Sequence, residues 1–127
     1  MTNYDLEESE LIKLQILLSF VLLFTTIISI TLSYDFLLKL EKKPPIYSEK
    51  ESLDILIFNR TIMFIVAALF IYINIRDKNV KEKYNSEDEF ANLQIDASLF
   101  NFIAAAIVLY VGVKSRSNIT SEENPTI

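Results

Sequence analysis

The longest uncharged stretch of the chain covers residues 14–34 and reads LQILLSFVLLFTTIISITLSY. An α-helix rises about 1.5 Å per residue, so this stretch is long enough to cross a hydrocarbon layer of roughly 30 Å. A soluble domain of this small size has no interior that could bury such a segment on all sides. The stretch therefore predicts a transmembrane helix over residues 11–34.

Two further apolar blocks follow. Residues 97–113 are uncharged, and Leu93 and Ile95 extend this block to a predicted span over 93–113. Residues 61–75 are too short alone, so the second predicted span covers 54–75 and includes Arg60. Arg60 would lie only about 7 Å deep, from where an arginine can reach the headgroups. The sequence predicts a single all-α membrane domain, an antiparallel bundle of three transmembrane helices extending beyond the bilayer, with a polar tail over 115–127.

Local signals place the helix ends. Ser48 with Glu51 and Ser86 with Glu89 match the capping box, in which a hydroxyl and a carboxylate satisfy the first free amides of a helix. The Pro-Pro pair at 44–45 ends the first helix by about Lys43. We therefore expect a short turn after the first helix and a polar link over 78–85 before the third.

Small and polar residues recur at helical spacing in all three blocks, as expected where membrane helices pack. They are Gln15, Ser19, Thr26, Ser29 and Ser33 in the first; Arg60, Ala67 and Asn74 in the second; and Gln94, Ser98, Asn101, Ala105 and Gly112 in the third. The alternative is that they line a water-filled path. We favour packing into a compact bundle, because Ser and Thr hydroxyls can bond to carbonyls one turn back without water.

Arg60 and Asp96 are the charges near membrane depth, where an ionisable group is a candidate functional site. Antiparallel neighbours place them at opposite membrane faces, so we expect no direct pair. Lys13 is the expected partner of Asp96, and Asp35 or the Ser29 and Ser33 hydroxyls are the expected partners of Arg60. We predict an interfacial or structural role for both charges, with a binding or gating role as the alternative.

The composition excludes several chemistries. The chain has no cysteine and no histidine, which removes disulfides, thiolate zinc sites and Cys or His catalysis. Its net charge of −5 argues against a nucleic-acid partner. No catalytic motif is recognisable, and the one glycine leaves no phosphate-binding loop. We expect no enzyme activity, no catalytic residue, no cofactor and no metal site.

The distribution of Lys and Arg outside the spans indicates the orientation. The first loop and the tail together carry more of these residues than the N-terminal side and second loop. We expect an N-terminus outside and a cytoplasmic C-terminus in a cell membrane. The abundance of Ile, Lys and Asn is typical of an AT-rich genome, which favours a bacterial origin.

Three functions fit these features, and the expected partners are the lipid bilayer and either a second copy or another membrane protein. The preferred one is a structural or accessory subunit that interacts with another membrane protein. The second is a self-assembling pore: the chain is similar to holins in its size, its span number and its proposed orientation. The third is a small transporter or channel that works as an oligomer, with Arg60 or Asp96 contacting the ion or substrate.

Overall fold

The computed structural model describes residues 1–86 and 88–123 and is all-helical over them. It contains α1 (Asn3–Leu40), α2 (Glu49–Lys83) and α3 (Ala91–Glu123). Each helix contains a stretch that is long and apolar enough to cross a membrane. The predicted helical fold with three long apolar segments is therefore confirmed, and each predicted span lies inside one helix. The end of the predicted polar tail, residues 124–127, lies outside the described residues.

The helix starts are capped by side chains. Thr2 and Asp5 form a reciprocal capping box at the start of α1, and the Ser48 hydroxyl accepts from the Glu51 amide at 3.1 Å at the start of α2. The capping box predicted at Ser86 is wrong, because α3 begins at Ala91. The Ser86 amide instead donates to the Lys81 carbonyl at 2.7 Å and so belongs to the end of α2.

Both interhelical turns begin with the same backbone arrangement. Lys43 donates to the Leu38 carbonyl across the end of α1, as Ser86 does to Lys81 across the end of α2. Lys42 and Asn85 take the left-handed conformation between these partners, with φ of 57° and 56°. This is the Schellman motif, which satisfies the last helical carbonyls and reverses the chain. The turns make α1 and α3 antiparallel to α2.

Two adjacent stripes of α2 pack against the two other helices. The stripe facing α1 repeats every seven residues and is buried along its length: Asn59, Val66, Ile73 and Val80. It meets a matching stripe of α1, where Leu18 joins Val66 and Ile73 in one hydrophobic cluster. The stripe facing α3 lies one residue further on and contains Arg60, Ala67 and Asn74. A seven-residue repeat keeps each stripe in line with its neighbour along antiparallel helices.

α1 and α3 do not meet. Within the described residues they have no Cα pair within 8 Å, whereas α2 contacts both. Neighbouring residues of a helix differ by about 100° in direction, so α1 and α3 lie side by side on one half of α2 and leave a groove between them. The expected compact bundle, in which all three helices meet, is wrong in this respect. We call the grooved side the concave face and the opposite side the convex face.

The convex face is apolar and exposed. On α2 it carries Phe58, Ile65 and Tyr72, each more than half exposed. Only 11% of the most apolar window of α1 is buried inside the chain, and 17% of that of α2 and of α3. Such surfaces are unfavourable in water and are compatible with an apolar environment.

Candidate functional site

A buried amide joins α1 to α2. The Asn59 side chain is 1% exposed, and its Nδ2 donates to the Thr25 carbonyl at 3.1 Å and to the Ser29 hydroxyl at 3.0 Å. The Asn59 carbonyl oxygen is buried without a partner within the described residues. Asn59 is not among the residues selected from the sequence, although its seven-residue spacing from Val66 and Ile73 is a signal that could have identified it as a seam residue.

Arg60 joins α2 to α3. Its Nη1 donates to the main-chain carbonyl of Val108 at 2.7 Å. Gly112 lies directly beneath, and a Cβ atom added there would be 3.4 Å from the same nitrogen. The predicted partners of Arg60, which were Asp35, Ser29 and Ser33, are therefore wrong. Arg60 follows Asn59 by one residue and so points about 100° away from α1.

Asn74 forms a second contact between α2 and α3, nearer the other end of the helices. Its Nδ2 donates to the Ser98 hydroxyl, which in turn donates to the Gln94 carbonyl at 2.9 Å. Ala67, two turns from both Arg60 and Asn74, is 2% exposed. The three α2 residues selected from the sequence thus share the stripe that faces α3, and hydrogen bonds near both ends hold this helix pair together.

The polar stripe predicted on α1 is turned mostly away from α2. Ser19, Thr26 and Ser33 are exposed, whereas Gln15 is partly buried. The Ser19 and Thr26 hydroxyls donate to carbonyls of their own helix at 2.8 and 2.9 Å. Ser29 of the predicted stripe does meet α2, where it accepts from Asn59, but the buried seam of α1 contains Leu11, Leu18 and Thr25. The place of the predicted stripe in an assembly stays a prediction.

The stripe predicted on α3 divides into two sets. Ser98, Ala105 and Gly112 are buried against α2 at seven-residue spacing, whereas Gln94 and Asn101 are exposed. The Asn101 side chain makes no hydrogen bond within the described part of the chain. The small residues therefore allow α2 to approach closely, and the two amides are left at the edge of the groove.

Asp96 is exposed, and so is Lys13. The predicted pair between them is wrong: neither side chain makes an ion pair or hydrogen bond within residues 1–86 and 88–123. Lys13 belongs to α1, which does not contact α3, and Asp96 points away from the stripe of α3 that faces α2. Asp96 is not joined to Arg60 either, so the two charges do not form one site.

Asp35 organises the turn between α1 and α2, just beyond the apolar span. It is 1% exposed, and its Oδ1 accepts from the Ile46 and Tyr47 amides at 2.8 and 3.0 Å. Its Oδ2 accepts from the Ser52 hydroxyl and from the Lys39 ammonium, each at 2.9 Å. The bond to Lys39, followed by those to the turn, holds the pKa of Asp35 well below its usual range.

A group of charges lies at the opposite end of the helices, outside the predicted spans. Lys81 contacts Asp77 at 2.9 Å and Asp88 at 3.4 Å, and Glu8 hydrogen-bonds to Asp77 from α1. Burial, followed by the contact with the Asp77 carboxylate, raises the pKa of Glu8 to about 7. Two carboxyl groups thus lie close together here beside one lysine.

Near the Asp35 turn the groove contains a cavity of about 790 Å³. Its walls are Ser33 and Phe36 on α1 and Ser115 and Ile119 on α3, and Leu56 of α2 lies at its floor. It is open to the surroundings along one side, so it is a cleft that could receive a neighbouring helix.

Within residues 1–86 and 88–123, no group of three or more acidic side chains could hold a metal ion. Comparisons with protein-family models, with curated proteins and with solved structures gave no match. The candidate site is therefore the concave face and its polar edges.

Proposed function

We propose that this chain is a structural or accessory subunit of a membrane assembly, held in the cell membrane by α1, α2 and α3. One observation carries this proposal: the Arg60 guanidinium and the Asn59 and Asn74 amides, three of the donors within the spans, form hydrogen bonds that hold the three helices together. Bonds of this kind fix the relative positions of the helices, which is what a structural subunit requires.

The outer surface supports the same proposal. Amides and hydroxyls are concentrated on the concave face, while the convex face carries large apolar side chains. Lipid tails offer polar groups no partner, whereas a neighbouring helix does. The concave face therefore suits a protein neighbour and the convex face suits lipid.

The two ends of the helix bundle also differ in their content of Lys and Arg, as expected for a protein that spans a membrane. The N-terminus and the second turn meet, with Glu7 and Lys83 3.2 Å apart. The first turn and the tail share the other end, where Arg116 contacts Asp54 at 2.7 Å. We place this second end in the cytoplasm of a bacterial cell, because it carries more Lys and Arg.

The test uses the full chain with a small tag, extracted from its native membrane in mild detergent. Size measurement and mass spectrometry of the purified material would give the stoichiometry. A defined membrane protein present at a fixed ratio supports the subunit function. A large homo-oligomer without another protein would overturn it in favour of the holin-like pore or an oligomeric channel.

The two membrane-depth charges separate the subunit from a small transporter or channel. Neutralising Arg60 in a transporter or channel should abolish flux while the assembly persists. In a structural subunit, Arg60→Leu should reduce assembly, whereas Asp96→Asn should leave it unchanged because Asp96 makes no contact within the described residues. A variant that keeps its assembly but loses ion or solute flux in vesicles would refute the structural role.

A further inference from the structure

The concave face has two walls that carry polar side chains. Near the Asp35 turn, the groove is lined by Ser33 of α1, Leu56 of α2 and Ser115 of α3. Steps of three and four residues keep to one side of a helix, so the same faces continue along the groove. The α1 wall is Gln15, Ser19, Thr26 and Ser33; the floor is Leu56, Met63 and Phe70; and the α3 wall is Ala97, Asn101, Ala104 and Val108.

On the α1 wall, Ser19 and Thr26 present acceptors. The Ser19 and Thr26 hydroxyls give their protons to the carbonyls of Gln15 and Leu22. Their oxygens keep lone pairs that point away from the helix axis. A hydroxyl bonded in this way can still accept a hydrogen bond from a donor on another helix.

The α3 wall presents a donor. The Asn101 amide carries two N–H groups, is exposed, and has no hydrogen bond within the described residues. It lies one turn, about 6 Å, inside the uncharged stretch that begins at Ala97. An unpaired amide at that depth is costly, so a partner for it is expected. Ala97 and Ala104 on either side allow another helix to approach closely.

The two walls run in the same direction and lie at comparable depths. Both α1 and α3 are antiparallel to α2, and the Asn59–Thr25 and Arg60–Val108 bonds place Thr25 level with the last turns of the α3 wall. Ser19 lies almost two turns before Thr25 on α1. The same step back along α3 leads to the region between Ala104 and Val108, so Ser19 lies at the same membrane depth as that region. A two-fold axis along the membrane normal would therefore bring the α3 wall of one copy opposite the α1 wall of another.

We propose that the concave face is a homodimer interface, in which two copies of this chain dock groove to groove with each α3 wall against the α1 wall of the other copy. At the depth of Asn101 the facing residues of the second copy are Gln15 and, one turn further on, Ser19, so the Asn101 amide of one copy donates to their side-chain oxygens. A two-fold arrangement uses both walls of both copies and gives each Asn101 amide a partner. This proposal rests on the membrane subunit function and names the first partner within it.

The chain has no cysteine, so introduced cysteines report on this interface without background. We would reconstitute two differently tagged copies in liposomes, one carrying Ser19→Cys and the other Ala104→Cys, and treat them with a short thiol cross-linker. The expected product is the mixed dimer. Ser19→Cys alone should cross-link poorly to itself, because identical positions lie diagonally across the two-fold axis. Leu17→Cys paired with Ile107→Cys, both on exposed outer faces, is the matched control.

Side-chain replacement tests the donor. Asn101→Leu should weaken dimerisation in lipid by about eight-fold to several-hundred-fold, since the two-fold dimer loses two symmetric hydrogen bonds and each bond between membrane helices is worth about 0.6–2 kcal/mol. Asn101→Gln, which keeps the amide, should retain most of the dimer. Circular dichroism would check that all variants keep their helical content. We expect that they do, because the Asn101 side chain makes no hydrogen bond within the described residues.

The outcomes distinguish a failure of the dimer from a failure of the proposed membrane-subunit function. If the mixed cross-link fails while the protein resists extraction at alkaline pH, the groove-to-groove dimer is refuted and the membrane subunit stands. If Ser19→Cys cross-links in native membranes only to a different protein, the second copy is again refuted as the occupant. If the chain is released by alkaline extraction, both proposals fall. Equal cross-linking of the control pair would also overturn the dimer.

Discussion

The guanidinium of Arg60 lies over Gly112 and donates to the Val108 carbonyl at 2.7 Å. Gly112, which has no side chain, is therefore the α3 residue beside which Arg60 reaches from α2 to α3. A carbonyl that already belongs to a helix has a second lone pair, so it can accept this bond without loss of its helical one. Arg60 thereby satisfies a donor at membrane depth without a carboxylate.

Gly112→Ala should be tolerated, because the added Cβ would lie 3.4 Å from Arg60 Nη1 and 3.5 Å from the Ile57 side chain. Alanine also has the higher helix propensity, so we expect a change in unfolding free energy within about 1 kcal/mol, in the stabilising direction. Gly112→Leu should instead displace the guanidinium and cost about 1–3 kcal/mol. Unfolding in mixed micelles of increasing SDS fraction would measure both, and equal stability of the two variants would contradict the contact.

Asn59→Leu should cost only about 0.5–1 kcal/mol of unfolding free energy, although it removes two bonds to α1. Ser29 keeps its own bond to the Thr25 carbonyl at 3.0 Å, and leucine removes the unpaired amide oxygen. Asn59→Asp, which has nearly the same shape, should cost more than about 3 kcal/mol because it buries a charge without a partner. The same SDS titration would show this contrast, and similar losses for the two variants would refute it.

The helices and their apolar faces could be predicted from the sequence because uncharged length and helical spacing are local properties. Arg60, Ala67 and Asn74 were assigned to one stripe, and they do lie on the side of α2 that faces α3. The polar stripe of α1 was assigned to packing, yet the seam contains Leu18 and Thr25. Both stripes have the same spacing, so periodicity alone could not decide between them.

What the sequence lacked was the relative rotation of the helices. Asn59 and Arg60 are adjacent, but one faces α1 and the other faces α3, since neighbouring positions differ by about 100°. Which of the two residues faces α1 depends on which seams of the helices pack better against each other. This is a property of all three helices together. The role of Asp35 in the turn was missed for a similar reason: its donors, the Ile46 and Tyr47 amides, lie beyond the two prolines of the turn.

Asp35→Asn should destabilise the turn between α1 and α2 by about 3 kcal/mol near neutral pH, because it leaves the Lys39 ammonium without its buried partner. The folded pKa of Asp35 lies below its ordinary value of 3.8, so this stabilisation is present above that pH and is lost as the pH falls below it. The difference between wild type and variant should therefore shrink on acidification. Chemical unfolding followed at pH 7 and pH 3 would measure it, and Asp54→Asn, at an exposed ion pair, is the control.

Glu8 should give the opposite pH dependence at the other end of the molecule. Its folded pKa is raised from 4.5 to about 7, so the folded state binds the extra proton and the contact of α1 with Asp77 is strongest below pH 4.5. This stability is lost as the pH rises through 7, when two carboxylates face each other. Hydrogen exchange of the first turns of α1 should therefore accelerate between pH 5 and pH 8 beyond its intrinsic dependence. Glu8→Gln should remove that excess, whereas the exposed Glu10→Gln should keep it; an unchanged excess in Glu8→Gln would show that another group titrates.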